Sequence, residues 1–157
     1  MTGHLVFSTL HTNDAAGAYT RMIDMGVEPF LVGTTVEGIM AQRLARRLCK
    51  HCKQPWKPKP EELPNDFPKE LLETGTIYRP VGCRECRDTG YAGRVALYEL
   101  LIPNDDIRRL AGEKAPSIEV KKVARANGMA TLRDNGWKKV GLGITSVEEV
   151  VRVAKED

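Results

Sequence analysis

No lysine in this 157-residue chain is followed by serine or threonine. The phosphate-loop pattern G-x-x-x-x-G-K-[ST], whose backbone N–H groups and lysine cradle nucleotide phosphates, is therefore absent. No apolar run approaches the roughly 18 residues that a bilayer-spanning helix needs. The opening Met1-Thr2-Gly3-His4 has neither the basic stretch nor the small-residue cleavage site of a secretory leader. A cytoplasmic location, where thiols stay reduced, is the expectation. Aromatic residues make up only 6%, so platforms for stacking bases are scarce, and 24 basic against 21 acidic residues leave a net charge of +3. That excess is too small to imply a nucleic-acid or membrane partner by itself. Internal repeats and low-complexity tails are also missing.

What remains is a globular composition, 41% hydrophobic and 29% charged, enough for a core. His4 to Leu10 is apolar on both alternating faces, the pattern of a strand covered on both sides in a parallel sheet. A free domain seldom opens on such a strand, so the chain is expected to be a fragment with Met1 added. Asn13 is placed to cap a helix running to about Met25, with Ala15, Ala18, Tyr19, Met22 and Ile23 on one face and Gly26 as its stop. Pro29 suits the first turn of a second helix, whose stripe is Val32, Val36, Ile39 and Met40. Residues Gln42 to Leu48 read as extended, and Val95 to Ile102 as an apolar strand. Five prolines between Pro55 and Pro68 exclude a long helix there, leaving room for a short one near Lys69 to Glu73. The rest is helical, with Asn104, Ser117, Thr131 and Ser146 as N-caps and Ser146 to Glu149 as a capping box.

The strongest chemical signal is Cys49-Lys50-His51-Cys52 followed by Cys83-Arg84-Glu85-Cys86. Each C-x-x-C turn points two thiolates at one ion, and two turns complete a tetrahedron with sulfur about 2.3 Å from zinc. With all four positions filled, no site is left for water or substrate, so the expected zinc is structural and closes the Pro-rich loop. Four thiolates on Zn²⁺ carry a net negative charge that Lys50, Lys53, Arg84 and Arg87 can offset. The alternatives are disulfides, which a reducing compartment disfavours, and a thioredoxin-like redox motif, which needs only one C-x-x-C. His51 is an alternative ligand, read here as solvated.

Ser8, Thr9, His11, Thr12, Asn13 and Asp14 gather where the expected strand gives way to a helix, the position at which open α/β sheets bind ligands. Here the sequence resembles a family. Thr2 to Ala15 is similar to the histidine box of the secretion ATPases, the hexameric motors of type II secretion and type IV pilus assembly. The likeness continues through Arg21 to Phe30, Ala41 to Cys49, the tetracysteine pattern, Gly90-Tyr91-Ala92-Gly93-Arg94 and Gly143 to Val150.

The resemblance implies an α/β chain in three parts. Residues 1–48 would be the C-terminal part of a RecA-like P-loop NTPase core, with a partial, mainly parallel sheet. Residues 49–90 would form the zinc-binding tetracysteine subdomain, and 91–157 a strand followed by a helical C-terminal region. It implies that the parent is a homo-hexamer using Mg-ATP, peripheral to the inner membrane through a membrane platform and accessory proteins. Within the histidine box His11 would sit near the terminal phosphate, with Thr9 as a polar sensor and His4 in the same box. Arg43, Arg46 and Arg47 would meet nucleotide or neighbouring-subunit charges; solvated pairing with acidic partners is the other reading of Arg46 and Arg47. The family's phosphate loop and the acidic strand motif that helps hold Mg²⁺ are both missing, so the isolated chain is expected to be inactive. The motifs suit secretion and pilus assembly alike. A zinc-ribbon nucleic-acid-binding module is the alternative; Glu61, Glu62, Glu70 and Glu85 interrupt its basic field, and no nucleic-acid partner is expected.

Overall fold

The computed structural model describes residues 3–154. Met1 and Thr2, which open the expected core segment and histidine box, lie outside the described residues, as do 155–157. The chain forms two compact units, each made of two stretches: residues 3–41 with 100–129, and residues 42–99 with 130–154.

In the first unit, helix α1 spans Gly17–Asp24, and at its start the Asp14 carboxylate, next to the expected Asn13, accepts from Gly17 N–H at 2.9 Å. Gly26, at φ +92°, ends it as its left-handed backbone requires. Helix α2 (Pro29–Thr35) starts at the predicted proline but stops before Val36, which is extended. Ile39 and Met40, expected on that helix, instead open strand β1 (Ile39–Leu48). The Thr34 and Thr35 hydroxyls, which donate to Phe30 O and Leu31 O at 2.8 and 2.7 Å, close the last turn. Helix α4 (Asp105–Gly112) carries the predicted Asn104 cap, which accepts from Ile107 N–H at 3.0 Å. Helix α5 spans Ser117–Ala126, with Ser117 as its first residue and Pro116 in the cap position where Ser117 was expected. Helices α2 and α4 approach closely at Gly33: a Cβ there would lie 2.6 Å from Arg108 O, and Arg108 Nη1 donates to Gly33 O at 3.1 Å. Tyr19, Val32, Ile107, Ala111, Val120 and Ala124 fill this unit's core.

The expected strand at residues 4–10 does not form. The segment has no regular structure, and Leu5, Val6 and Phe7 are 74%, 78% and 88% exposed. A strand apolar on both faces needs flanking strands to pair its backbone and layers to cover it, and no described strand pairs with it. The mainly parallel sheet is likewise not seen among the described residues. Strand β1 pairs with β4 (Tyr91–Leu101) in a two-stranded sheet whose ends, Cys49 beside Gly90 and Gly38 beside Leu101, make it antiparallel. Strands β2 (Gln54–Trp56) and β3 (Ile77–Arg79) form a second antiparallel pair, with Pro55 opposite Tyr78.

The second unit holds most of β1 and β4, the β2–β3 pair, the short helix α3 (Glu70–Thr74), and helices α6 (Leu132–Gly141) and α7 (Val147–Val153). Ala45, Leu48, Leu97, Leu132, Trp137, Val140, Val147 and Val150 are its buried core. A capping box of Thr131 and Asp134 starts α6. At α7 only half of the expected box forms: Ser146 Oγ accepts from Glu149 N–H at 3.3 Å, while the Glu149 carboxylate turns elsewhere. It is fully buried and accepts from Arg46 N–H at 2.9 Å, Arg46 Nε at 3.0 Å, Arg46 Nη2 at 2.8 Å and Arg152 Nε at 3.0 Å. Burial pushes this carboxyl up, but the hydrogen bonds from Arg152 and Arg46 outweigh it and bring it down to about 2 from an ordinary 4.5.

A carboxylate held below its unfolded value stabilises the fold above about pH 4.5 and loses that contribution as pH falls toward 2. Glu149→Gln is expected to cost about 3 kcal/mol at pH 7, because it leaves two guanidiniums facing a neutral amide. The gap to the unaltered chain should shrink below pH 4.5. Urea denaturation followed by tryptophan fluorescence checks this, since Trp56 and Trp137 both belong to the second unit. A gap that stays constant with pH would show that Glu149 acts through packing alone.

Candidate metal centre

Cys49 follows directly from β1, and its N–H donates to Gly90 O at 2.9 Å, so the sheet fixes the first knuckle. The backbone then turns back on itself, Lys53 N–H donating to Cys49 O at 3.0 Å. The second knuckle is a tight turn over Arg84–Cys86, closed by Cys86 N–H and Asp88 N–H donating to Cys83 O at 3.1 and 2.9 Å. Arg87 and Asp88 then take the left-handed conformation at φ 53° and 58°. Between the knuckles the β2–β3 pair closes the ends of the Pro-rich loop. Gly90 is required where that loop returns: its φ is +77°, and a Cβ would lie 2.5 Å from Pro80 Cβ.

The four sulfurs converge, all within 4.8 Å of one another. The Cys49–Cys83, Cys52–Cys86 and Cys83–Cys86 Sγ separations are 3.9, 3.8 and 3.7 Å. A tetrahedron with metal–sulfur distances of about 2.3 Å has edges of about 3.8 Å. A disulfide needs about 2.05 Å, and none of the four is oxidised. Backbone amides aim at the sulfurs as well: Cys83 and Gly90 N–H donate to Cys86 Sγ at 3.2 Å, and Gly82 N–H to Cys52 Sγ at 3.4 Å. Burial pushes the Cys86 thiol up, but these amides and the neighbouring thiols bring it down to about 6. Burial pushes Cys52 up to about 11. A divalent cation favours the thiolate at every ligand, and four sulfur donors suit a borderline-soft ion in tetrahedral geometry. His51 is exposed and absent from the cluster. Of the cations expected to offset the knuckles, Lys53 is committed elsewhere: Nζ donates to Gly143 O at 2.7 Å and lies 4.3 Å from the Tyr78 ring centre.

The other candidate residues lie in more open surroundings. His4, Thr9 and His11 are exposed on the irregular opening segment of the first unit. Close by in sequence, Thr12, Asn13, Asp14, Gly17, Thr20, Arg21, Asp24 and Ser117 line a polar recess of about 370 Å³ in which Asp14 pairs with Lys121 at 3.4 Å. Arg43, Arg46 and Arg47 belong to the second unit. Arg43 Nη1 donates to Gln42 O at 3.1 Å, and Arg47 is exposed. Arg46 is held between Glu149 and the face of Tyr91, 4.1 Å from the ring centre, and Tyr91 hydrogen-bonds Ser146 at 2.7 Å.

Two supports of the metal loop have no counterpart in the sequence-based expectations. Asp66, on the Pro-rich stretch, forms an ion pair with the buried Arg133 and accepts from Trp137 Nε1 at 3.1 Å. Phe67 packs edge-on against Trp137 at 5.2 Å. The hydrogen bonds from Arg133 hold the Asp66 carboxyl below its ordinary range. Both contacts join the Pro-rich stretch to α6, about 70 residues away in sequence, so no local pattern marks them.

Comparison with known proteins places these motifs among relatives. The family described as Type II/IV secretion system protein matches residues 1–152. The Type IV pilus assembly ATPase PilB of Thermus thermophilus is 46% identical over 152 residues, covering 96% of this chain and 17% of that protein. The Myxococcus xanthus protein of the same name is 48% identical, covering 96% of this chain and 27% of its own length. The Type II secretion system ATPase E of Vibrio cholerae is 46% identical, covering 99% and 31% respectively. The chain thus spans less than a third of each of these relatives.

With zinc bound, Cys49→Ser or Cys83→Ser is expected to open residues 49–90 to proteolysis while the helices of the first unit stay protected. Limited digestion with mass mapping of the cuts checks this. Unchanged resistance of that loop in both variants would mean that the cysteines do not hold it.

Proposed function

The chain belongs to the Type II/IV secretion system protein family, and we propose that it is the C-terminal portion of a hexameric motor ATPase that drives protein secretion or pilus assembly. The observation that carries this reading is the continuous likeness, from the histidine segment to α7, to proteins named as secretion and pilus ATPases. Residues 1–48 would complete a RecA-like core whose phosphate loop and Mg²⁺-holding strand lie in the remainder of the parent. Residues 49–90 would carry one structural zinc on Cys49, Cys52, Cys83 and Cys86. Residues 91–157 would brace that loop through β4, α6 and α7. The exposed apolar segment around Leu5, Val6 and Phe7 is consistent with a strand that is covered in the assembled core. Docking on an inner-membrane platform would put the motor at the cytoplasmic face of that membrane.

Within this reading His11 is the group nearest the terminal phosphate of Mg-ATP, and Thr9 and His4 share its segment. A neutral imidazole there would orient water or donate a hydrogen bond as charge moves to the leaving group. Arg43, Arg46 and Arg47 would meet anionic groups of nucleotide or of a neighbouring subunit. The isolated chain, without a phosphate loop, should neither hydrolyse ATP nor bind it at micromolar concentration.

His11→Ala in the full-length parent is expected to retain nucleotide binding, zinc and assembly while turnover falls on the order of 10²-fold or more. Steady-state ATPase assays beside nucleotide-binding calorimetry read both. Hydrolysis at the parent rate would reduce His11 to a structural role and shift the box's function to Thr9 or His4.

A further inference from the structure

The Gly90-Tyr91-Ala92-Gly93-Arg94 stretch is explained only in part by the metal loop. Gly90 is needed for the loop's return and Tyr91 for the stack on Arg46, but neither need accounts for Gly93 or Arg94. Arg46, Thr89, Tyr91, Gly93 and Arg94 line an open recess of about 370 Å³ in the second unit. Arg47 borders it: its Cδ lies 4.0 Å from the point where a Cβ on Gly93 would be. Gly93 has φ +79° and no side chain, so the floor between these arginines stays open.

The charge there is unbalanced. Glu149 is one carboxylate shared by Arg46 and Arg152, and Glu148 is the other acid acting on Tyr91. Among the described residues neither Arg47 nor Arg94 has a carboxylate partner. Arg46 is matched by Glu149, whereas Arg94 in the lining and Arg47 at its border have no such match, which leaves two positive charges at the recess. A single carboxylate would neutralise half of that charge, whereas a phosphate group carries nearly two negative charges at neutral pH and offers several oxygens to planar guanidinium forks. Arg46 is already fixed by Glu149 and Tyr91, so little side-chain freedom is lost when it meets an anion.

We propose that the recess between Arg46, Tyr91 and Arg94 is a binding site for a phosphate-bearing anion, with Arg94 as its principal uncommitted donor. For Arg46 and Arg47 the assignment rests on the anion-meeting role proposed above; for Arg94, Tyr91 and Gly93 it rests on geometry alone. The site is open and shallow, so its affinity in this chain lies on the order of millimolar, separate from the micromolar nucleotide binding expected of the parent.

The test is a titration of the zinc-loaded chain with inorganic pyrophosphate at constant ionic strength, followed by amide NMR. The expected result is saturable shifts at Tyr91, Gly93 and Arg94. Arg94→Ala should weaken binding about tenfold or more, and Arg94→Lys should restore part of it. Arg109→Ala, on the exposed side of α4, should change nothing. Competition by ATP would identify nucleotide phosphate as the source; competition by phosphatidylglycerol vesicles, with none by phosphatidylcholine vesicles, would identify a lipid headgroup. Absence of saturable shifts, or shifts that survive Arg94→Ala unchanged, would overturn the proposal. No hydrolysis is read, so failure of the motor reading through His11 would leave this result standing, and the converse also holds.

Discussion

Four sulfur atoms held within 4.8 Å of one another impose a condition on everything attached to them. As thiolates they repel: two unit charges about 4 Å apart cost on the order of 4 kcal/mol at an effective dielectric of 20. As thiols they form weak hydrogen bonds that would not hold a Pro-rich loop in place. A divalent cation would remove the conflict by turning repulsion into ligation, and its binding energy would become folding energy for the loop. The backbone is arranged for that outcome. β1 delivers Cys49, the turn over Arg84–Cys86 delivers the second pair, and Gly90 brings the chain back to Cys49 N–H at the start of β4.

The loop is also braced from the chain's far end, by charge. Glu149 on α7 gathers the backbone and side chain of Arg46 on β1, and Arg152 from its own helix. Asp66 on the loop reaches Arg133 and Trp137 on α6. Each joins residues dozens of positions apart in sequence, and each buries a charge only because its counter-charge comes with it. Strand β1 and the Pro-rich loop are thereby fixed against two helices, and Arg46 and Tyr91 acquire fixed positions in the lining of a basic recess.

The convergence of the four cysteines was legible in the sequence because a C-x-x-C spacing is a local geometric statement, true whatever the rest of the chain does. The Asn104, Thr131 and Ser146 caps were legible for the same reason. Ile39 and Met40 misled because an apolar pair after a helix suits a longer helix or a new strand equally well; the extended Val36 decided for the strand. The strand expected at residues 4–10 depends on neighbours, and no described strand supplies them. Arg133 lies in a polar-looking helix, and nothing local marks it as buried, because its reason for burial is Asp66.

The claim on which the rest turns is that a single zinc ion sits on four sulfurs. X-ray absorption at the zinc edge, together with a metal count on the purified chain, tests it most directly. One zinc per chain with four sulfur neighbours at about 2.3 Å is the predicted result. A shell that mixes sulfur with the imidazole nitrogen of His51, or a folded and protease-resistant chain that holds no zinc, would contradict it.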